Sequence, residues 1–536
     1  MAREFRVFGP PGTGKTRYVS EQAKRAVEKY GSAAVVIASL TRAAAHEIAG
    51  RDTQVPPMNV GTLHAHAYRA LGRPSLAETK EGLAKWNEYA GKVSPRLKVT
   101  DKSTVDPENA SLEQGFAGTE GEALLAELAM HRARMTDPQF YPPRVRRFSE
   151  LWEAFKTSEG RVDFTDLIEV ALAEIECHPS RPMAFFLDEA QDMSRLELAL
   201  ARKWGERCDV FVIVGDPFQN LYEWRGSEPE AFIAGHVEGV KVLEQSYRVP
   251  QAVHSYAVDW AKQITAMDFP AYLPTSEPGN VRVEQHTWAY PDTIYRDLVE
   301  DVNAGRNVMV LASCGYMLNP LIAYLRENGV PFHNPYRATH GGWNPLRGAK
   351  RLRDFVGIQH GEPMWTWAQI HNWAEPLAAK NVFERGAKAF IESKGMVGRF
   401  DDERDMPVAD LDTLSSLLKS DEARFAVIDS DVQWWIDNAR ASRKQSLTYS
   451  VSVYKKHGFD ALSKQPHIVL GTIHSVKGGE ADVVYVFPDL SGAAIREYER
   501  ARDPITRLFY VAFTRARQEL VLCESSGQGA VRFKRP

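Results

Sequence analysis

The chain is short of cysteine, of long apolar runs and of any excess of one charge, and each shortage removes a class of function. Its four cysteines, Cys177, Cys208, Cys314 and Cys523, lie far apart with no CxxC spacing, which excludes a zinc ribbon or a disulfide framework and fits a reducing cytoplasm. No apolar stretch approaches the ~20 residues that a membrane span needs, and the opening MAREF carries no signal-peptide pattern. A soluble, cytoplasmic protein with no membrane role is the expectation. The formal net charge of −4 over 536 residues gives no global pull toward nucleic acid, so a polyanion would need a local basic groove. There are no internal repeats or long low-complexity segments, and the length calls for roughly three or four domains.

What is present begins almost at once with GPPGTGKTRYVS, residues 9–20. Glycines let the segment from Gly9 through Pro10, Pro11, Gly12 and Thr13 to Gly14 curl so that backbone N–H groups face phosphate oxygens. Lys15 adds a point charge for terminal phosphates, Thr16 offers a hydroxyl to Mg²⁺, and the helix that opens here favours an anion at its N-terminus. The context fits: FRVF before the loop reads as a buried strand, and Val19, Ala23, Ala26, Val27 and Tyr30 recur at helical spacing until Gly31.

Short continuous apolar runs at AAVVIAS (33–39), MAFFLDEAQD and VFVIVGDPFQ predict further buried parallel strands, each ending in polar residues. Ligands gather at the carboxyl ends of such strands, where Lys15, Asp188 and Asp216 would meet. A second set, NVMVLAS (307–313), HIVLGTIH (467–474), DVVYVFPDL (482–490) and the late LVLCE, predicts a second α/β domain. Two stretches break the rhythm and read as largely helical insertions. The expected division is a first α/β domain from 1–71 and 156–246 with an insertion at 72–155, and a second from 247–339 and 466–536 with an insertion at 340–465.

FFLDEAQD places Asp188 and Glu189 directly after a strand, an arrangement in which the first carboxylate holds Mg²⁺ and the second polarises an attacking water. In VIVGDPFQNLYEWRGS, Gln219 is placed to sense a γ-phosphate, with Tyr222 and Trp224 close behind it. Trp343, Trp365, Trp367 and Trp373 are better read as core, and His178 and His371 as satisfied structural histidines. Arg132, Arg134, Arg144, Arg146 and Arg147 read as a solvated charged face at least as well as a duplex contact.

The ordered set GPPGTGKTR, GTLHAHAYRAL, DEAQD, GDPFQNLYEWRGS, LEQSYR, GTIHSVKGGEADVVYV and LFYVAFTRAR resembles the motifs of the UvrD/Rep branch of superfamily 1 DNA helicases. The likeness covers roughly residues 1–71, 156–336 and 466–525, and implies two RecA-like P-loop domains. It implies an ATP-dependent DNA helicase that uses ATP and Mg²⁺, moves 3′-to-5′ on single-stranded DNA and works at single-strand/duplex junctions. A translocase that strips proteins from DNA or remodels recombination intermediates without processive unwinding is the alternative. Partners among repair or replication proteins are implied without being identified.

By the same resemblance, Arg17 and Tyr247 sandwich adenine, Arg248 and Arg515 are arginine fingers, and Glu480 accepts from ribose hydroxyls. Thr16 and Asp188 hold the metal. Thr41, Arg42, Thr62, His64, Tyr222, Trp224, Arg225, Thr472 and His474 touch DNA. His64 and His474 each follow a GT-hydrophobic triplet, one in each α/β domain, which suggests two grips that alternate along one strand. The chain departs from the family pattern in three places. No glutamine-bearing adenine motif is present before Gly9, Ser39 and Thr41 stand where an aromatic and an Asn are common, and KGGE replaces Lys-Gly-Leu-Glu.

Overall fold

The computed structural model describes residues 4–40, 44–45, 48, 50–51, 53–99, 119–265, 267–335, 346–395, 408–527 and 529–536. Its frame is two six-stranded sheets in which every strand pair is parallel.

The first sheet contains β1 (Glu4–Phe8), β2 (Val35–Ser39), β3 (Val60–Thr62), β4 (Ala184–Asp188), β5 (Val210–Gly215) and β6 (Gly239–Val242), in the order β3-β2-β4-β5-β1-β6. Its strands read as continuous apolar runs because both faces are covered, and alternate residues go to opposite layers. Ala184 and Phe186 pack with Val19, Ala23 and Ala26 of the helix Lys15–Tyr30. Phe185 and Leu187 pack on the other side with Leu167, Ile168, Leu196 and Trp204, from the helices Phe164–Glu174 and Arg195–Gly205.

The second sheet contains β7 (Asn280–Glu284), β8 (Val308–Ala312), β9 (Phe332–His333), β10 (Ile468–Thr472), β11 (Ala481–Val486) and β12 (Ala516–Cys523), in the order β7-β12-β11-β8-β10-β9. It is sandwiched in the same way. Met309, Leu311, Val484 and Val486 meet the helices Gln251–Ala261 and Asp503–Phe513, while Val308, Val310, Val483 and Tyr485 meet the helices Asp292–Asn303 and Asn319–Glu327.

Between β3 and β4 a helical segment builds its own core from Trp86, Phe148, Trp152 and Phe155. Its last helix, Pro143–Glu159, runs past residue 155 and stops at Gly160, whose left-handed φ of 59° ends it. Between β9 and β10, a bundle of short helices from Leu346 to His457 closes around Phe355, Trp365, Trp373 and Trp435. Trp365 and Trp373 are fully buried and Trp367 nearly so, while Trp343 lies outside the described residues.

The arginines of the first helical segment do not form one solvated face. Arg132 is buried and its guanidinium binds Asp163 at 2.8 Å and both Asp166 and Glu169 at 2.5 Å, with Lys156 Nζ 2.8 Å from the same Asp163. A cation placed there without those carboxylates would be prohibitively desolvated, so Arg132 is a structural crosslink rather than a phosphate contact. Arg134 donates to the Glu223 carbonyl at 2.9 Å, while Arg144, paired with Glu127 at 2.6 Å, stands out in water together with the exposed Arg146 and Arg147.

Candidate nucleotide cleft and nucleic-acid interface

β1 ends at Phe8, and Gly9 N–H donates to the Gly215 carbonyl at 3.0 Å, so the loop that follows is hung from the end of β5. Thr13 Oγ1 donates to the Pro10 carbonyl at 2.8 Å, and Lys15 Nζ donates to the Gly9 carbonyl at 2.9 Å. Gly12 and Gly14 hold φ of 75° and 79°. At Gly12 the need for glycine is double, because a Cβ would come within 2.6 Å of Arg248 Cβ and 2.7 Å of Ser246 Oγ. The segment after β6 is thus pressed onto the loop. Ser246 Oγ and Tyr272 OH both donate to the Pro11 carbonyl, at 3.0 and 2.9 Å, and Tyr247 N–H donates to the Gly12 carbonyl at 2.9 Å.

Thr16 Oγ1 donates to Asp188 Oδ2 at 3.1 Å, which brings the two expected metal ligands together. Burial first, and then the neighbouring Glu189 carboxylate, push the Asp188 carboxyl up to about 7. A buried carboxylate so short of positive charge, beside a hydroxyl, has the chemistry of a divalent-cation site, and these residues fit Mg²⁺. Glu189 sits at φ 54°, in the left-handed region, which turns its side chain back into the cleft. Burial raises its carboxyl, but Lys15, Lys477, a hydrogen bond from Gln191 and Arg515 together bring it below the ordinary value. The two adjacent carboxylates are driven in opposite directions, as a metal ligand beside a general base would be.

The second lobe closes this cleft. Arg515, fully buried, donates to Gln219 Oε1 at 3.1 Å, and Gln219 in turn donates to Asp216 Oδ2 at 2.7 Å. Arg248 Nε donates to Glu480 Oε2 at 2.6 Å, with Arg517 on the other carboxylate oxygen at 3.0 Å. Arg17 and Tyr247 stand exposed at the mouth, Arg17 pairing with Glu21 at 2.8 Å and Tyr247 being 73% exposed, so both offer open faces. Lys477 escaped the sequence reading although it stands inside the quoted GTIHSVKGGE. It donates to the Gln219 carbonyl at 2.7 Å and forms an ion pair with Asp192 across the lobes. A Lys three residues before Glu480, in a stretch otherwise free of charge, was the available signal.

Of the residues expected on DNA, Thr41 and Arg42 lie outside the described residues. Thr62 caps the helix Leu63–Ala70, accepting from Ala65 N at 3.2 Å. His64 faces Glu197 at 3.4 Å, and burial lowers its imidazole despite that carboxylate. Together with Trp224 and Arg225, His64 lines a cavity of about 140 Å³ against the helix Glu120–Ala133. Tyr222 is the hub of the seam: its ring lies 6.3 Å from Trp224, 6.5 Å from His474, and beneath the cations of Arg225 and Lys477 at 5.9 and 5.4 Å. Thr472 is buried and accepts from Ser475 N at 3.3 Å, shaping the turn that presents His474. His178 is a structural histidine, donating to or accepting from His66 at 3.0 Å and accepting from Ser180 N at 3.1 Å.

Two parallel sheets, a glycine-rich loop on one and arginines of the other reaching the same cleft define a two-lobed P-loop protein. The match with the UvrD/REP helicase N-terminal domain over residues 1–236, and with the UvrD-like helicase C-terminal domain over 467–523, goes further: the chain belongs to the UvrD/Rep helicase family. Similar proteins include the ATP-dependent DNA helicase srs2 of Schizosaccharomyces pombe, 24% identical over 48% of this chain and 33% of that protein. F-box DNA helicase 1 of Gallus gallus is 24% identical over 44% of this chain and 24% of its own length. The ATP-dependent DNA helicase PcrA of Bacillus subtilis is 21% identical over 67% of this chain and 58% of that protein. The chain thus spans a third or less of the first two and somewhat over half of the last. Among the described residues, no helix is long and apolar enough to cross a membrane.

Proposed function

We propose that the protein is an ATP-dependent DNA helicase that translocates 3′-to-5′ on single-stranded DNA and couples ATP hydrolysis in the interlobe cleft to strand separation. The observation that carries this reading is the meeting of Lys15, Asp188 and Glu189 from the first lobe with Arg515 from the second, through Gln219. Lys15 and the loop N–H groups hold the phosphates, and Thr16 and Asp188 hold Mg²⁺, which when bound neutralises phosphate charge. Glu189, kept ionised, accepts a proton from the attacking water, while Arg515 and Arg248 stabilise charge on the transferred group. Arg17 and Tyr247 stack the base, and Glu480 takes the ribose. Loss of the γ-phosphate removes the anion that both arginines share with Lys15, so the cleft opens.

The DNA track is Thr41, Arg42, Thr62 and His64 of the first lobe, Thr472 and His474 of the second, and Tyr222, Trp224 and Arg225 between them, flat side chains interleaved with cations. Two otherwise identical duplexes, one with a 3′ and one with a 5′ single-stranded tail, test the proposal with ATP and Mg²⁺. Opening of the 3′-tailed duplex alone is expected. Opening from the 5′ tail alone would reverse the polarity. ATP turnover stimulated by single strands with neither duplex opened would replace unwinding by translocation.

A further inference from the structure

A parallel sheet is normally covered on both faces, yet on one side of the first sheet the helix Lys15–Tyr30 lies mainly over β2 and β4, reaches β5, and among the described residues leaves the β1-β6 end uncovered. A groove of about 520 Å³ remains there, in the size range of built ligand sites. Its floor is apolar: Val7, Phe186 and Val212 are buried in it, and Phe5 and Val210 are partly covered. Residues that begin their strands, Ala184, Val210 and Gly239, line it together with Lys29 and Tyr30 at the C-terminal end of the helix. The groove therefore lies toward the strand ends opposite the nucleotide loop.

The walls carry charge of one sign. Arg25 and Lys29 stand on the helix, and Lys241 stands across from them on β6; all three are exposed, and no carboxylate is among the described residues lining the groove. Lys29 Nζ donates to the Tyr30 hydroxyl at 2.8 Å, with Asp209 the carboxylate that acts on it, and Lys241 Nζ rests 4.8 Å from the centre of the Tyr18 ring. Val240, beside Lys241, is 57% exposed.

We infer that this groove is a docking site for a protein partner, namely a short segment that places apolar side chains on the sheet floor with carboxylates on both flanks. The arrangement of charge selects that occupant. Cations on two separate elements, one to each side of an apolar floor, match an amphipathic segment with acidic residues on either side of its apolar ridge. The apolar ridge would supply the affinity, and the flanking charges the orientation.

The test uses the full chain and fluorescence anisotropy of a labelled twelve-residue peptide with a Leu/Phe ridge flanked by Glu, beside the same ridge flanked by Lys. Binding of the acidic peptide alone is expected. Lys241→Glu, and separately Arg25→Glu with Lys29→Glu, should each weaken it on the order of tenfold, with ATP turnover on single-stranded DNA unchanged. Val240→Asp, at an exposed position where folding is safe, should weaken it too. Equal binding of both peptides, or indifference to the three charge reversals, overturns the inference. So does displacement of the peptide by a single-stranded oligonucleotide, which would make the basic rim part of the DNA track. Tight binding of dodecyl sulfate that blocks a weaker peptide would reassign the groove to a small anionic amphiphile and overturn it as well.

Discussion

Lys15 shows how much of this site is written in single residues. Its ammonium now bonds the Gly9 carbonyl at 2.9 Å, and its field holds down the carboxyls of both Asp188 and Glu189. Lys15→Ala removes the only cation that the nucleotide loop itself contributes, and ATP turnover is expected to fall on the order of a hundredfold or more, with single-strand affinity within a few-fold. Steady-state turnover and anisotropy with a labelled oligonucleotide separate the two effects. Gly12→Ala makes a complementary prediction. The new methyl would strain a φ of 75° and strike Arg248 Cβ and Ser246 Oγ, both belonging to the segment that leads to the second lobe. KM for ATP should rise and kcat fall together, because the loop and Arg248, the proposed arginine finger, are displaced at once. At this scale the phosphate loop, the paired carboxylates and Gln219 were legible, since their chemistry needs those residue types at that spacing. Arg132 was not, because nothing in EGEALLAELAMHRARM announces the Asp163, Asp166 and Glu169 that fold brings around it. Lys477 was missed for a related reason: its partners, Asp192 and the Gln219 carbonyl, stand some 285 and 258 positions away in the chain.

Among the elements, the strands that the sequence announces are the buried ones. β1, β2, β4, β5, β8, β10, β11 and β12 are apolar runs, whereas the four that produced no signal, β3, β6, β7 and β9, are the sheet edges. VGT, GVKV and NVRVE are half exposed, and FH is two residues long, so none needs a continuous apolar run. The helix Leu63–Ala70 carries an element-scale prediction through His66, which sits against His178 beneath the first sheet, with the His178 ring 5.2 Å from Trp204. Burial, then the charge of the neighbouring groups, holds His66 well below its ordinary 6.5 and brings His178 down to about 4. Between those values the unfolded chain binds protons that the fold refuses. The His178 contribution to stability is therefore complete above about pH 6.5 and drains as pH falls toward 4, by roughly 1 kcal/mol per pH unit, and the lowered His66 imidazole acts in the same direction. Thermal midpoints measured from pH 7 to pH 5 should drop, and His178→Gln should make the slope shallower. An unchanged slope would assign the acid loss to other groups.

The whole molecule is coupled through one loop. Phe218 and Leu221 follow β5 of the first lobe, yet they are buried in the core of the second, where the Phe218 ring meets Phe269 at 4.8 Å edge-on. Two residues further on, Glu223 forms an ion pair with Arg507, whose guanidinium is all but sealed from solvent. Burial raises the Glu223 carboxyl even against that cation, a sign that the pair is held in a low-dielectric seam. Glu223 stands between Tyr222 and Trp224, and Arg507 lies on the helix Asp503–Phe513, whose end delivers Arg515 to Gln219. The pair therefore joins the aromatic residues proposed to touch DNA to the proposed arginine finger through one helix. Glu223→Gln keeps the shape and removes the charge. Stimulation of ATP turnover by single-stranded DNA is expected to shrink by about tenfold, while turnover without DNA stays within a few-fold. Removing one partner of a buried pair also costs stability, on the order of 3–5 kcal/mol, so the charge-swapped double variant Glu223→Arg with Arg507→Glu is the control. If the swap restores DNA stimulation, the pair transmits the signal. If Glu223→Gln lowers the thermal midpoint but leaves the ratio of stimulated to basal turnover untouched, the pair only glues the lobes together, and coupling must run through Lys477, Asp192 and the Gln219 carbonyl instead.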